Sequence, residues 1–113
     1  MPGTPFSAAH SVRDGDTVLE LNGDITRDAE QDLQAVYTEA RSGPGRLLLD
    51  FEDVDYINST GIALIVGILA DARSAQRVVA AFGLSDHYRE IFTITRLADF
   101  MTIYQDAAAA AQA

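Results

Sequence analysis

The chain has 113 residues, is 48% apolar and 22% charged, and contains no cysteine. That length suits one domain with one core, and the composition excludes a disordered chain, a disulfide framework and a thiolate metal site. A net charge of −9, with arginine in place of every lysine, argues against nonspecific binding to nucleic acid or to an anionic membrane.

Met1-Pro2-Gly3-Thr4-Pro5 has neither a basic start nor an apolar run, so no signal peptide is expected and the cytoplasm is the simplest compartment. Phe6, Ala8, His10 and Val12 alternate with Ser7, Ala9 and Ser11, which predicts a strand. Arg13-Asp14-Gly15-Asp16 is a turn signal, and Thr17 to Leu21 resumes as a second strand, giving a hairpin. Thr26 is placed to cap a helix from about Arg27 to Arg41. Asp28, Glu30 and Asp32 fall in its early turns, where negative charge is favoured. Ala29, Leu33, Val36 and Ala40 make its apolar stripe, and Gly43-Pro44-Gly45 ends it.

Leu47-Leu48-Leu49 predicts a short central strand covered on both faces. Asp50, Glu52, Asp53 and Asp55 then read as a solvated acidic loop. The next helix begins near Ser59 and ends near Ser74. Its apolar run, Gly61 to Ala70, is roughly half of the ~20 residues a membrane span needs, so no membrane insertion is expected. Val78 to Phe82 is a second central strand. Ser85 caps a third helix with Leu84, Tyr88, Ile91, Phe92 and Thr95 facing inward. Met101 to Tyr104 is the last strand, and Asp106 caps a final helix of alanines. The order β-β-α-β-α-β-α-β-α predicts an α/β domain, a mixed four- or five-stranded sheet with about four helices.

The polar tetrad Asn58-Ser59-Thr60-Gly61 opens the most apolar helix. Asn58 suits the N-cap, which puts Ser59 and Thr60 at the first helical positions. Unpaired amides and the helix dipole both favour an anion there. A phosphate on Ser59 would add about −1.5 to −2 charges, and the dipole would stabilise it by ~0.3–1 kcal/mol. The same four residues also make an ordinary turn and cap. Along the helix, Ala63, Gly67, Ala70 and Ser74 form a small-residue stripe, while Ile62, Ile65, Val66 and Leu69 form a bulky one expected to face the sheet. A neighbouring helix or a partner protein would fit the small side equally well. Hydrolysis by Ser59 would need an oriented base. His10 on the edge strand and His87 in the third helix are not placed for it, and no Gly-x-Ser-x-Gly elbow exists, so no enzyme is expected.

Leu47-Leu48-Leu49-Asp50-Phe51 followed by Val54-Asp55-Tyr56-Ile57-Asn58-Ser59-Thr60-Gly61-Ile62 resembles the signature of STAS domains, especially bacterial anti-sigma factor antagonists. Leu21-Asn22-Gly23-Asp24-Ile25, Gly83-Leu84-Ser85-Asp86, Arg96-Leu97 and Ile103-Tyr104 extend the resemblance over nearly the whole chain, residues 1–113, as one STAS-like domain. The resemblance implies a partner-switching protein without a cofactor. A kinase partner, an anti-sigma factor with a histidine-kinase-like ATPase fold, would phosphorylate Ser59, with Thr60 the secondary site, and a phosphatase would reset it. The partner surface would comprise Asn58, Ser59, Thr60, Gly61, Ala63, Gly67 and Ala70, with Gly61 leaving room for close approach. Two positions depart from the family pattern: Asn58 and Thr26 stand where aspartate is usual. Those neutral residues keep open a second expectation, a constitutive scaffold subunit of a stress-sensing or membrane transport complex.

Overall fold

The computed structural model describes residues 3–113. Strand β1 (Ser7–Arg13) and strand β2 (Asp16–Ile25) form the expected hairpin. Asp14 and Gly15 both have positive φ, +52° and +85°, the conformation of a tight hairpin turn whose twist matches the flanking strands. A short 3-10 turn (Arg27–Ala29) leads into helix α1 (Glu30–Ala40). Strand β3 (Leu47–Ile57), helix α2 (Ser59–Ser74), strand β4 (Val79–Phe82), helix α3 (Asp86–Ile94), strand β5 (Thr102–Tyr104) and helix α4 (Ala107–Ala111) complete the chain. The strands lie in the order β1-β2-β3-β4-β5, antiparallel at the first pair and parallel in the rest. Among the described residues no helix is long and apolar enough to cross a membrane.

Alternation along the strands divides the core. Leu19, Leu49 and Ala81 face α1, α2 and α3, while Val18, Leu48, Ala80 and Phe82 face α4. Both sets are buried, which explains the unbroken apolar runs in β3 and β4. The α4 side has the thinner cover, with Ala110 its buried residue. Arg46 ties that helix down: its Nη2 donates to Ala110 O at 3.0 Å and to Asp16 Oδ2 at 2.8 Å. The guanidinium beside Asp16 holds that carboxyl below its ordinary range.

Strands β2 and β3 are both longer than the sequence pattern suggests. Two register shifts, at Glu20/Asn22 and Gly23/Asp24, let β2 run on past Leu21. Gly23, at φ +87°, takes the arm of Thr4 and Pro5 against its open face. The expected acidic loop is therefore strand: Asp50, Glu52, Asp53 and Asp55 all lie within β3. The correction has a physical cause, since β2 continues to pair with β3 as far as Ile57. Strand β4 ends opposite Asp50, so the second half of β3 is an edge. Exposed Glu52, Asp53 and Asp55 line it, and edge charges oppose pairing with another chain. Thr95 is a further correction: it follows α3 as an exposed cap, its hydroxyl donating to Ile91 O at 2.7 Å.

Candidate functional site at the start of the second helix

Parallel strands β2 and β3 end in register, Ile25 opposite Ile57. Thr26 and Asn58, the next residues, each open a helical segment beside the other. Thr26 Oγ1 accepts from Asp28 N at 3.3 Å, and Asn58 Oδ1 accepts from Gly61 N at 2.8 Å. Asn58 is extended (φ −92°, ψ −176°), and its carbonyl accepts the first bond of α2 from Ile62 N at 2.9 Å. Its own amide donates to Ile25 O at 3.3 Å. Among the described residues, this leaves the amides of Ser59 and Thr60 as the unpaired donors of the first turn.

Ser59 and Thr60 are exposed and Asn58 is half-buried. The first turn of α2 holds no acidic residue, so nothing within it opposes an anion. Gly61 plays a different part from the one expected. It is buried, and a Cβ there would lie 2.0 Å from Ile25 O and 2.9 Å from Ile57 Cγ2. The close approach it permits is that of the chain's own backbone, which presses the helix start onto the end of β2.

The small face of α2 is uncovered. Ala63, Gly67, Ala70 and Ser74 are exposed, and a Cβ on Gly67 would meet nothing within 4 Å. Val66 is also on this outer side, 43% exposed, where the sequence reading turned it toward the sheet. Ile68 and Ala72 take the inner positions with Ile65 and Leu69. The wholly apolar character of the helix hid its orientation.

A groove of about 620 Å³ runs between α1 and α2, from Thr60 past Ala63 and Gly67 to Tyr37, Arg41 and Asp71. At its far end Tyr37 Oη donates to Asp71 Oδ2 at 2.5 Å, and Arg41 Nε approaches the same oxygen at 3.0 Å. Burial, and then the Asp71 carboxylate, push the Tyr37 phenol up to about 12. Sequence reasoning missed Tyr37, although it continues the Ala29–Leu33 spacing by one more turn. On the other flank of α2, Val66, Ala70, Leu97 and Phe100 border a smaller apolar crevice of about 270 Å³. The Arg73 guanidinium lies 5.1 Å from the Phe100 ring centroid.

The histidines stand apart from this arrangement as the sequence places them. His10, on edge strand β1, lies 3.7 Å from Glu39, and exposed His87 packs edge-on against Tyr88 at 4.8 Å. Tyr88 has a contact no local pattern announces: its Oη accepts from Ile57 N at 2.8 Å, directly before the Asn58 cap.

The family model described as Mlab, STAS domain, matches residues 9–103. An anti-sigma-B factor antagonist of Listeria monocytogenes is 39% identical over 57 residues, covering 50% of this chain and 50% of the relative. The chain thus matches about half the length of that protein. An anti-sigma-B factor antagonist of Staphylococcus aureus is 29% identical over 86 residues, covering 75% of this chain and 80% of the relative. The Bacillus cell fate determinant SpoIIAA, in its phosphorylated form, superposes with a TM-score of 0.69 at 18% identity, covering 96% of this chain and 98% of that one. At that identity the likeness concerns the fold.

Proposed function

The chain belongs to the STAS domain family, and from that premise we propose that it is a phosphorylation-controlled protein-binding switch, an anti-sigma factor antagonist acting in the cytoplasm. The observation that carries this reading is the exposed Ser59 at the first position of α2, beside two unpaired amides and no carboxylate in the same turn. A partner kinase with a histidine-kinase-like ATPase fold, itself the anti-sigma factor, supplies the chemistry. The Ser59 hydroxyl oxygen bonds to the γ-phosphorus of ATP, the bond to the departing ADP breaks, and the hydroxyl proton passes to the kinase. A phosphatase reverses the modification. This chain contributes the acceptor, its placement and the docking face, and performs no catalysis of its own.

The modification acts across the interface. The helix start accommodates a dianion, because its amides and dipole favour one. A partner seated over Asn58, Ser59 and Thr60, and along Ala63, Gly67 and Ala70, then meets a charge it was not built for. Like charges brought together across an interface cost several kcal/mol, and ~1.4 kcal/mol is already tenfold in affinity. The unmodified form therefore binds the anti-sigma factor, and the phosphorylated form releases it. Neutral Thr26 and Asn58 ease the phosphate further by removing nearby negative charge.

Incubation with ATP and the anti-sigma factor kinase, followed by mass spectrometry of wild type and Ser59→Ala, tests the assignment. Label is expected on wild type alone; equal label on both proteins removes Ser59 from the role. The same neutral Thr26 and Asn58 favour the second reading, a constitutive scaffold subunit of a stress-sensing or membrane transport complex. That reading requires a stable assembly on gel filtration whose affinity Ser59→Asp leaves unchanged.

A further inference from the structure

Strand β3 outruns its neighbour. Strand β4 stops at Phe82 opposite Asp50, so no strand pairs with that side of residues 51–57. An unpaired buried backbone amide is costly, and natural structures supply an acceptor for nearly all of them. At Ile57, which is 5% exposed, the acceptor is a side chain: the Tyr88 hydroxyl, in a buried hydrogen bond spanning 31 residues of sequence.

The path of the chain places that hydroxyl there. After β4 the chain turns at Gly83, whose φ is +82° and whose absent Cβ would lie 2.8 Å from the backbone nitrogen of Glu52. Only glycine allows the crossing so close to the free half of β3. Ser85 then caps α3, its Oγ accepting from Tyr88 N at 3.3 Å. Tyr88 is 7% exposed and packs in the core. Its oxygen reaches Ile57 N, the next residue is the Asn58 cap, and that cap holds Gly61 N. One hydrogen-bonded path thus joins the first turn of α3 to the first turn of α2.

We propose that Tyr88 is a positioning residue for Ser59: by holding the Ile57 amide it fixes the Asn58 cap and so the pose of the acceptor hydroxyl. This deepens the phospho-switch reading and rests on it.

Tyr88→Phe removes the acceptor oxygen and keeps the ring. Phe92→Leu is the comparison: it loosens α3 by disturbing the edge-on Phe51–Phe92 contact, whose centroids are 5.7 Å apart, and keeps the Tyr88 hydroxyl. Amide exchange is measured in both variants by NMR. In Tyr88→Phe, exchange at Ile57 and Gly61 is expected to rise about tenfold, the equivalent of one lost hydrogen bond. Phe92→Leu is expected to leave the ratio of those amides to the rest of the core unchanged. The second readout needs no kinase: phosphoserine is installed at Ser59 and titrated by phosphorus NMR. On the wild-type background its second pKa is expected ~0.2–0.7 below the ordinary value of about 6. Tyr88→Phe is expected to return about half of that depression, because a loosened cap holds the amides less well. Unchanged Gly61 exchange in Tyr88→Phe, or reproduction of both effects by Phe92→Leu, overturns the positioning role. A wild-type phosphate that titrates at its ordinary value instead strikes the electrostatic basis of the Ser59 reading, while the exchange comparison still decides the part played by Tyr88.

Discussion

At the amino-terminal end of β3 the carbonyls that close α1 are gathered by Arg77, whereas at its carboxy-terminal end the amides that open α2 look out to solvent. Arg77 donates through Nε to Gly45 O at 3.2 Å, through Nη1 to Ala40 O at 3.2 Å and to Arg41 O, and through Nη2 to Gly43 O at 2.9 Å and Pro44 O at 3.3 Å. A cation over the last carbonyls of a helix satisfies them and complements the dipole. At the other end, among the described residues, one first-turn donor of α2 is closed by a side chain, Gly61 N by Asn58, and the Ser59 and Thr60 amides have no acceptor. Both ends begin with the same problem of unpaired helix-end groups. One end solves it within the chain, which fixes the fold. The other leaves the Ser59 and Thr60 amides without an acceptor among the described residues, which is the feature the proposed switch relies on.

The sharpest way to break this contrast is charge at the open end. Ser59→Asp is expected to weaken binding of the anti-sigma factor by more than about a hundredfold, given several kcal/mol for like-charge juxtaposition, with little loss of stability. Calorimetric titration beside thermal melting checks both halves. The two glycines of α2 come next. Gly61→Ala drives a methyl into the Ile25 carbonyl and should destabilise by about 3 kcal/mol. Gly67→Ala enters open space and should stabilise by about 0.5–1 kcal/mol, since glycine weakens a helix interior. Opposite shifts of the urea midpoint are the expected result. At the closed end, Arg77→Ala should cost about 2 kcal/mol, and Arg77→Lys should recover less than half, because an ammonium cannot span the same set of carbonyls.

The smallest expected effect is electrostatic. Burial raises the Asp50 carboxyl above its ordinary value, so the folded chain holds that proton more tightly than the unfolded one. Stability from this group is then present at low pH and lost as pH rises through the folded value. Asp50→Asn should therefore stabilise at neutral pH, and the gain should vanish below the ordinary carboxylate pKa of about 3.9. Urea titrations across pH read it directly.

The helix starts were legible in the sequence because capping is local. Asn58, Ser85 and Asp106 each accept a first-turn amide as the pattern predicts, whereas Thr26 caps the 3-10 turn Arg27–Ala29 and α1 itself starts at Glu30 behind Ala29, which makes no side-chain cap. The place of Ser59 at the first helical position was legible for the same reason. The length of β3 was not, because it depends on the bulged path of β2 and on a hydroxyl supplied from α3. Arg77 was equally hidden: its partners lie 32 to 37 residues away, and an arginine after a helix looks like any surface charge. Val66 and Gly61 were misread through a shared weakness. An almost uniformly apolar helix carries no polar face to orient it, so which side meets the sheet is decided by packing that the sequence does not display.

Arg46 has a consequence beyond its own ion pair. By holding Ala110 and Asp16 at once, it connects helix α4 to the turn end of the first hairpin across the thinly covered side of the sheet. Should α4 fray, the guanidinium loses a carbonyl and Val18, Leu48 and Phe82 meet water, so the disturbance arrives at the opposite extremity of the chain as well. Handles for immobilisation or fluorescence attached after α4 therefore report on the hairpin too, and an inert tether belongs on some other surface.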